Sequence, residues 1–99
     1  MGTGLILNIN NLITMWQELN NKLYRSFTFT DFRHAFNFIT NVADLAQHHN
    51  HHPTWTNTYN KVEIWLSTHD AGDVITHKDR ELAAAIDDMV LEIEGKKQY

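Results

Sequence analysis

Four of the seven histidines in this 99-residue chain fall between His48 and His52, and His69 follows 17 residues after His52. Imidazole is the side chain whose ordinary pKa lies nearest neutrality, so such a group can donate or accept a proton at physiological pH. An elimination of water needs both acts: hydroxide leaves poorly unless it is protonated, and a neighbouring proton must be removed. His51 and His52 on one side, with His69 facing them, can supply the two roles. Other chemistries find less support. The chain has no cysteine, which removes disulfides, thiolate nucleophiles and cysteine zinc sites. Ser26 and Ser67 stand alone, without the pattern of a serine triad, and no glycine-rich loop could cradle a phosphate. Imidazoles three or four apart on a helical turn can share a cation. The His48–His52 run, however, has neither the Glu of an HExxH motif nor a carboxylate ligand of its own, so no metal site is assigned. The bland alternative, histidines lying against the last carbonyls of a helix, explains His51 or His52 singly but not their meeting with His69.

That meeting depends on the elements around them. Pro53 pushes the preceding residue toward extended geometry and ends the upstream helix. Thr54 to Tyr59 and Val62 to Ser67 then read as a hairpin of β-branched and aromatic residues. A loop of Asn60-Lys61 would pair Tyr59 with Val62, Asn57 with Ile64 and Trp55 with Leu66, and would set His52 opposite His69. Upstream, Lys22 to Phe29 alternates as a half-buried strand in which Arg25 is the one misfit. Thr14 to Glu18 can pair with it through an Asn20-Asn21 turn, because Asn tolerates the positive φ of tight hairpins. Thr30 or Asp31 caps a helix whose stripe is read as Phe32, Ala35, Phe36, Ile39, Val42, Ala43 and Ala46. After a loop from Asp70 to Ile75, Thr76 and Asp79 have capping-box spacing; Asp79 reads equally as a cap or a substrate contact. A last helix follows, with the stripe Leu82, Ile86, Met89, Val90 and Ile93, and with Lys96 and Lys97 suiting its C-terminus. The order strand-strand-helix-strand-strand-helix predicts an α+β two-layer sandwich: a four-stranded antiparallel sheet with both helices packed on one face. Trp16, Trp55 and Trp65 suit core or interface positions. Trp65 alternates away from Val62, Ile64 and Leu66, and a subunit contact would use it.

Composition bounds the partners. Hydrophobic residues at 42% and charged residues at 20% describe a folded domain, and the length leaves room for one core, expected over residues 16–99, with 1–15 as an N-terminal extension of unknown role. Twelve acidic against eight basic side chains do not give the basic footprint of nucleic-acid binding. No signal sequence or span is evident near Met1, and Ile6 breaks the Met1-Gly2 myristoylation pattern, so a cytoplasmic protein without membrane association is expected. So small a domain buries a modest fraction of its surface, which favours self-association.

Asn50-His51-His52-Pro53-Thr54-Trp55, Tyr59-Asn60-Lys61-Val62 and Leu66-Ser67-Thr68-His69 resemble the pterin-4a-carbinolamine dehydratases. The likeness extends through Tyr24 to Phe29, Asp31-Phe32, Ala35-Phe36, Phe38 and Val42-Ala43, and downstream through Gly72, Asp79 and Leu82-Ala83. It implies dehydration of a 4a-hydroxytetrahydropterin to quinonoid dihydropterin without metal or cofactor. It also implies a substrate pocket of Asn50, His51, His52, Pro53, Ser67, Thr68, His69 and Asp70, in a homodimer or homotetramer. The three histidines would act there as acid, base and orienting donors, His52 and His69 flanking the reacting C4a–N5 edge and His51 anchoring the ring or the other face. Because an animal member also serves as a dimerisation cofactor of a homeodomain transcription factor, a scaffolding role is the alternative expectation. Three positions depart from the family: Gln47 stands where Glu is frequent, the His69–Asp79 segment is one residue longer, and His48-His49 are unusual. A neutral Gln47 cannot hold an adjacent imidazole in its charged form as a carboxylate would.

Overall fold

The computed structural model describes residues 15–96, with side chains through residue 92. The expected extension over residues 1–15, apart from Met15, thus lies outside the described residues, as do Thr14, Lys97 and the side chains of Ile93 and Lys96.

Strand β1 (Gln17–Leu19) turns into β2 (Lys22–Thr28) through Asn20 and Asn21, both with positive φ (53° and 64°). This is the primed two-residue turn whose twist matches that of the strands it joins. Helix α1 (Phe32–His49) follows, with Asp31 accepting a hydrogen bond from the His34 N–H at its N-terminus. Strands β3 (Thr54–Thr58) and β4 (Lys61–Leu66) form the second hairpin, and helix α2 (His77–Lys96) closes the described chain. The sheet order is β1-β2-β4-β3, antiparallel throughout. Alternation sends Leu23, Phe27, Val62, Ile64 and Leu66 to one face, where they pack with Ala35, Phe38, Ile39, Val42 and Ala46 of α1 and Leu82, Ala83, Ile86 and Val90 of α2. The two-layer α+β sandwich is therefore the architecture of the molecule, with no helix over the opposite sheet face among the described residues.

Two local expectations are corrected, and one misfit is explained. The second hairpin turns on Tyr59-Asn60, not Asn60-Lys61, so Thr58 opposes Lys61, Asn57 opposes Val62 and Trp55 opposes Ile64. Asn60 is held back by β2: its carbonyl accepts from the Phe29 N–H at 2.8 Å and its side chain donates to the Phe29 carbonyl at 3.0 Å. Tyr59 is left to take the left-handed conformation at φ 50°. The slip is two residues, an even number, so every side chain keeps its face. In α1, Phe32 and Phe36 are half exposed and packed on each other at 5.8 Å, while Phe38 takes the buried place between Ala35 and Val42. A step of one residue turns a helix by 100°, and the buried stripe runs one step away from those two rings. Finally, Arg25 is buried among the apolar residues of β2 because α2 brings Asp87 to it: the guanidinium donates to Asp87 Oδ1 at 2.7 Å and lies 4.5 Å from the Phe27 ring centre. The Trp16 indole N–H donates to the same carboxylate oxygen at 2.9 Å.

Candidate active site

The C-terminus of α1 determines how the paired histidines leave the helix. Asn50 is left-handed (φ 51°), its N–H bonded to the Gln47 carbonyl and that of His51 to the Ala46 carbonyl. This six-to-one closure reverses the chain sharply. It sends His51 inward and leaves His52 at the surface, before Pro53 starts the extended path into β3.

His51 enters a buried polar knot centred on Asp79, the third residue of α2. The His51 Nε2–H donates to Asp79 Oδ1 at 2.6 Å, and the other carboxylate oxygen accepts from the Thr68 hydroxyl at 2.8 Å and the Thr76 N–H at 2.9 Å. With the Thr68 proton committed to Asp79, the Thr76 hydroxyl donates to Thr68 Oγ1 across 2.6 Å. Asp79 is fully buried and the His51 ring only 11% exposed. Burial alone would push the Asp79 carboxyl up, but hydrogen bonds from His51, Thr76 and Thr68 together hold it below the usual carboxylate range. Its capping bond to Thr76 was legible from the spacing; its bond to His51 was not, because it joins residues 28 apart across two elements.

His69 is presented differently. Beyond β4 a bridge between Thr68 and Val74 closes a loop containing a single 3-10 turn, His69–Ala71, with Gly72 and Asp73 both at positive φ (93° and 60°). That reversal carries Asp73 back over the ring, where its carboxylate accepts from His69 Nδ1 at 3.1 Å. The bond, reinforced by the charges of Asp73 and Asp70, raises the His69 pKa. The ring itself is 89% exposed. His52 has the mildest partner: Gln47 Oε1 accepts from its Nε2 at 3.2 Å, which places the proton on Nε2 and leaves Nδ1 with a lone pair.

His51, His52 and His69 line one recess of about 320 Å³, together with Asn50, Ser67, Thr68 and Asp70. Pro53 is not in its wall; it acts on the chain's path instead. Lys78, next to Asp79 at the start of α2, lines the recess as well, and no spacing in the sequence singled it out. The register correction leaves this convergence intact, since the histidines are gathered by the helix exit and the 3-10 loop rather than by a direct cross-strand pairing. Among the described residues, no group of three or more His, Cys, Asp or Glu is placed to hold a metal ion. No helix there is long and apolar enough to cross a membrane.

Comparison with known proteins places the chain among relatives. The family model for pterin 4 alpha carbinolamine dehydratase matches residues 6–89. A protein of Solibacter usitatus is 53% identical over 72 residues, covering 73% of this chain and 75% of its own. One from a Bradyrhizobium species is 49% identical over 82 residues, covering 81% of each. Both carry the name "Putative pterin-4-alpha-carbinolamine dehydratase". Among solved structures, a transcriptional coactivator/pterin dehydratase from Brucella melitensis superposes with a TM-score of 0.71 at 35% identity, covering 76% of this chain and 81% of its own. A pterin dehydratase-like protein identified as a RuBisCO assembly factor in the alpha-carboxysome shares the fold, with a TM-score of 0.67 at 22% identity over 80% of this chain and 93% of its own. With its histidine-lined recess and a match over most of its length, the chain belongs to the pterin 4 alpha carbinolamine dehydratase family.

Proposed function

We propose that the protein is a hydro-lyase that eliminates water from 4a-hydroxytetrahydrobiopterin, or a closely related pterin, in pterin recycling. The observation that carries this reading is the gathering of three imidazoles, each with a hydrogen-bond partner, around one small recess. In the reaction the C4a–O bond breaks and the C4a=N5 bond forms, hydroxide leaving as water while N5 loses its proton. His69, kept protonated to higher pH by Asp73 and Asp70, donates the proton to the leaving hydroxyl. His52, with its Nδ1 lone pair free of Gln47, accepts the proton from N5. His51, locked by Asp79, anchors the pterin ring, with Asn50, Ser67, Thr68 and Asp70 completing the substrate contacts. This chemistry asks for no cofactor. Afterwards His52 returns its proton to solvent and His69 regains one, restoring the starting charges.

The test is stopped-flow dehydration of freshly generated 4a-hydroxytetrahydropterin. The expected result is acceleration over the uncatalysed rate that collapses in His69→Ala. A second reading, a non-catalytic dimerisation or scaffolding cofactor of a transcription regulator, draws on the exposed Phe32-Phe36 pair; equal dehydration rates for His69→Ala and wild type would favour it. The same pair, with the edge strands β1 and β3 open among the described residues, supports a homodimer or homotetramer; the setting proposed for it is the cytoplasm.

A further inference from the structure

The recess does not end at the histidines. Ser67 in its wall follows the alternation of β4 and stands on the sheet face opposite the two helices, in line with Trp65 and Glu63. From the neighbouring strand, the Lys22 ammonium donates to Ser67 Oγ at 3.2 Å. Lys22 also lines a second depression of about 430 Å³ on that face, with Trp65, Thr54, Thr56 and Leu19 among its walls. The recess and this groove therefore meet at one hydrogen-bonded pair, Lys22 and Ser67. Successive same-face residues of a strand lie ~7 Å apart, so a chain of about three to five atoms leaving the recess past Ser67 reaches the Trp65 ring.

We infer that this groove is a subsite for the substituent at C6 of the pterin, and that Lys22 selects substituents bearing acceptor oxygens three or more atoms into the chain. The inference rests on the dehydratase reading above and adds to it a choice among substrates. An ammonium has three donors; Ser67 occupies one, and the others face a groove whose remaining polar groups include the Thr54 and Thr56 hydroxyls. A hydroxylated side chain, or its phosphate ester, satisfies those donors. A bare methyl leaves them to water and leaves the indole face uncovered.

The experiment compares kcat/KM for two 4a-hydroxytetrahydropterins, one with methyl at C6 and one with dihydroxypropyl, in wild type, Lys22→Met and Lys22→Arg. A charge-assisted hydrogen bond supports a preference of about tenfold for the hydroxylated substrate. That ratio is expected to fall close to one in Lys22→Met and to recover in Lys22→Arg. General damage to the fold, or displacement of Ser67 alone, lowers both rates and leaves the ratio in place. An unchanged ratio in Lys22→Met, or no preference in a wild type that dehydrates both substrates, overturns the subsite while sparing the dehydratase reading. Failure of wild type to dehydrate either substrate removes both.

Discussion

Two histidine–carboxylate pairs flank the same recess and obey different physics. His51 and Asp79 meet at 2.6 Å with exposures of 11% and 0%, and His69 and Asp73 at 3.1 Å with exposures of 89% and 58%. In the first, the carboxylate also ties Thr68 and the start of α2, so the pair fixes geometry and its loss would leave several buried groups without partners. In the second, solvent screens the charges and competes for the hydrogen bonds, so little structure depends on the pair. What it retains is an influence on a proton. One element of the site is held for position and the other for protonation.

The contrast can be broken at four places. Asp79→Ala should have the largest effect, a loss of about 3 kcal/mol of stability from an uncompensated His51, Thr68 and Thr76 N–H, read from urea unfolding; a change below 1 kcal/mol would contradict the buried-knot account. The same carboxyl gives a pH signature. Its folded pKa is depressed, so its contribution is present above the unfolded value of about 4 and is lost as pH falls below it through the folded value; Asp79→Asn should flatten that acid limb.

His69→Ala should cut the dehydration rate about 100-fold and leave the thermal midpoint where it was, a separation of activity from stability opposite in kind to that of Asp79→Ala. Asp73→Asn is milder. Because Asp73 raises the His69 pKa, its neutralisation should move the alkaline fall of the rate to lower pH, with unfolding unaltered; an unmoved limb would detach Asp73 from the chemistry. Smallest is Gln47→Glu, which puts a carboxylate beside His52. A carboxylate favours the charged form of a neighbouring imidazole, and His52 is proposed as the base, so this variant should be modestly slower than wild type at acid pH; equal rates there would detach position 47 from the chemistry.

Periodicity was a good guide wherever a face is buried. The alternation of β2 and β4 and the Asn20-Asn21 turn are in the structure as the residues imply, because burial on one side enforces parity and Asn accepts positive φ. It failed where a distant partner decides. Asn-Lys looks like a better turn than Tyr-Asn, yet Phe29 claims Asn60 and moves the loop. Seven apolar positions in α1 looked like one stripe, but an apolar side chain does not say which neighbour covers it, and Phe32 and Phe36 stay out. At the site, the histidine segments were readable from residue type and from Pro53. The depth of Asp79 and the position of Lys78 were not, since both depend on how α2 docks against the helix exit.

Arg25 sits in a row of apolar side chains, its guanidinium answered by Asp87 on α2 and steadied by the Trp16 indole on that same oxygen. Such an arrangement constrains descent as well as folding. The two charges are not equally dependent: loss of Asp87 takes a 2.7 Å partner from a guanidinium that is 5% exposed, whereas loss of Arg25 leaves a carboxylate that is 40% exposed to water, so substitution at position 25 is the easier first step for a lineage. Position 87 is thus expected to keep its carboxylate among this protein's descendants for as long as position 25 keeps its charge, an ordered dependence although 62 residues separate the two along the chain.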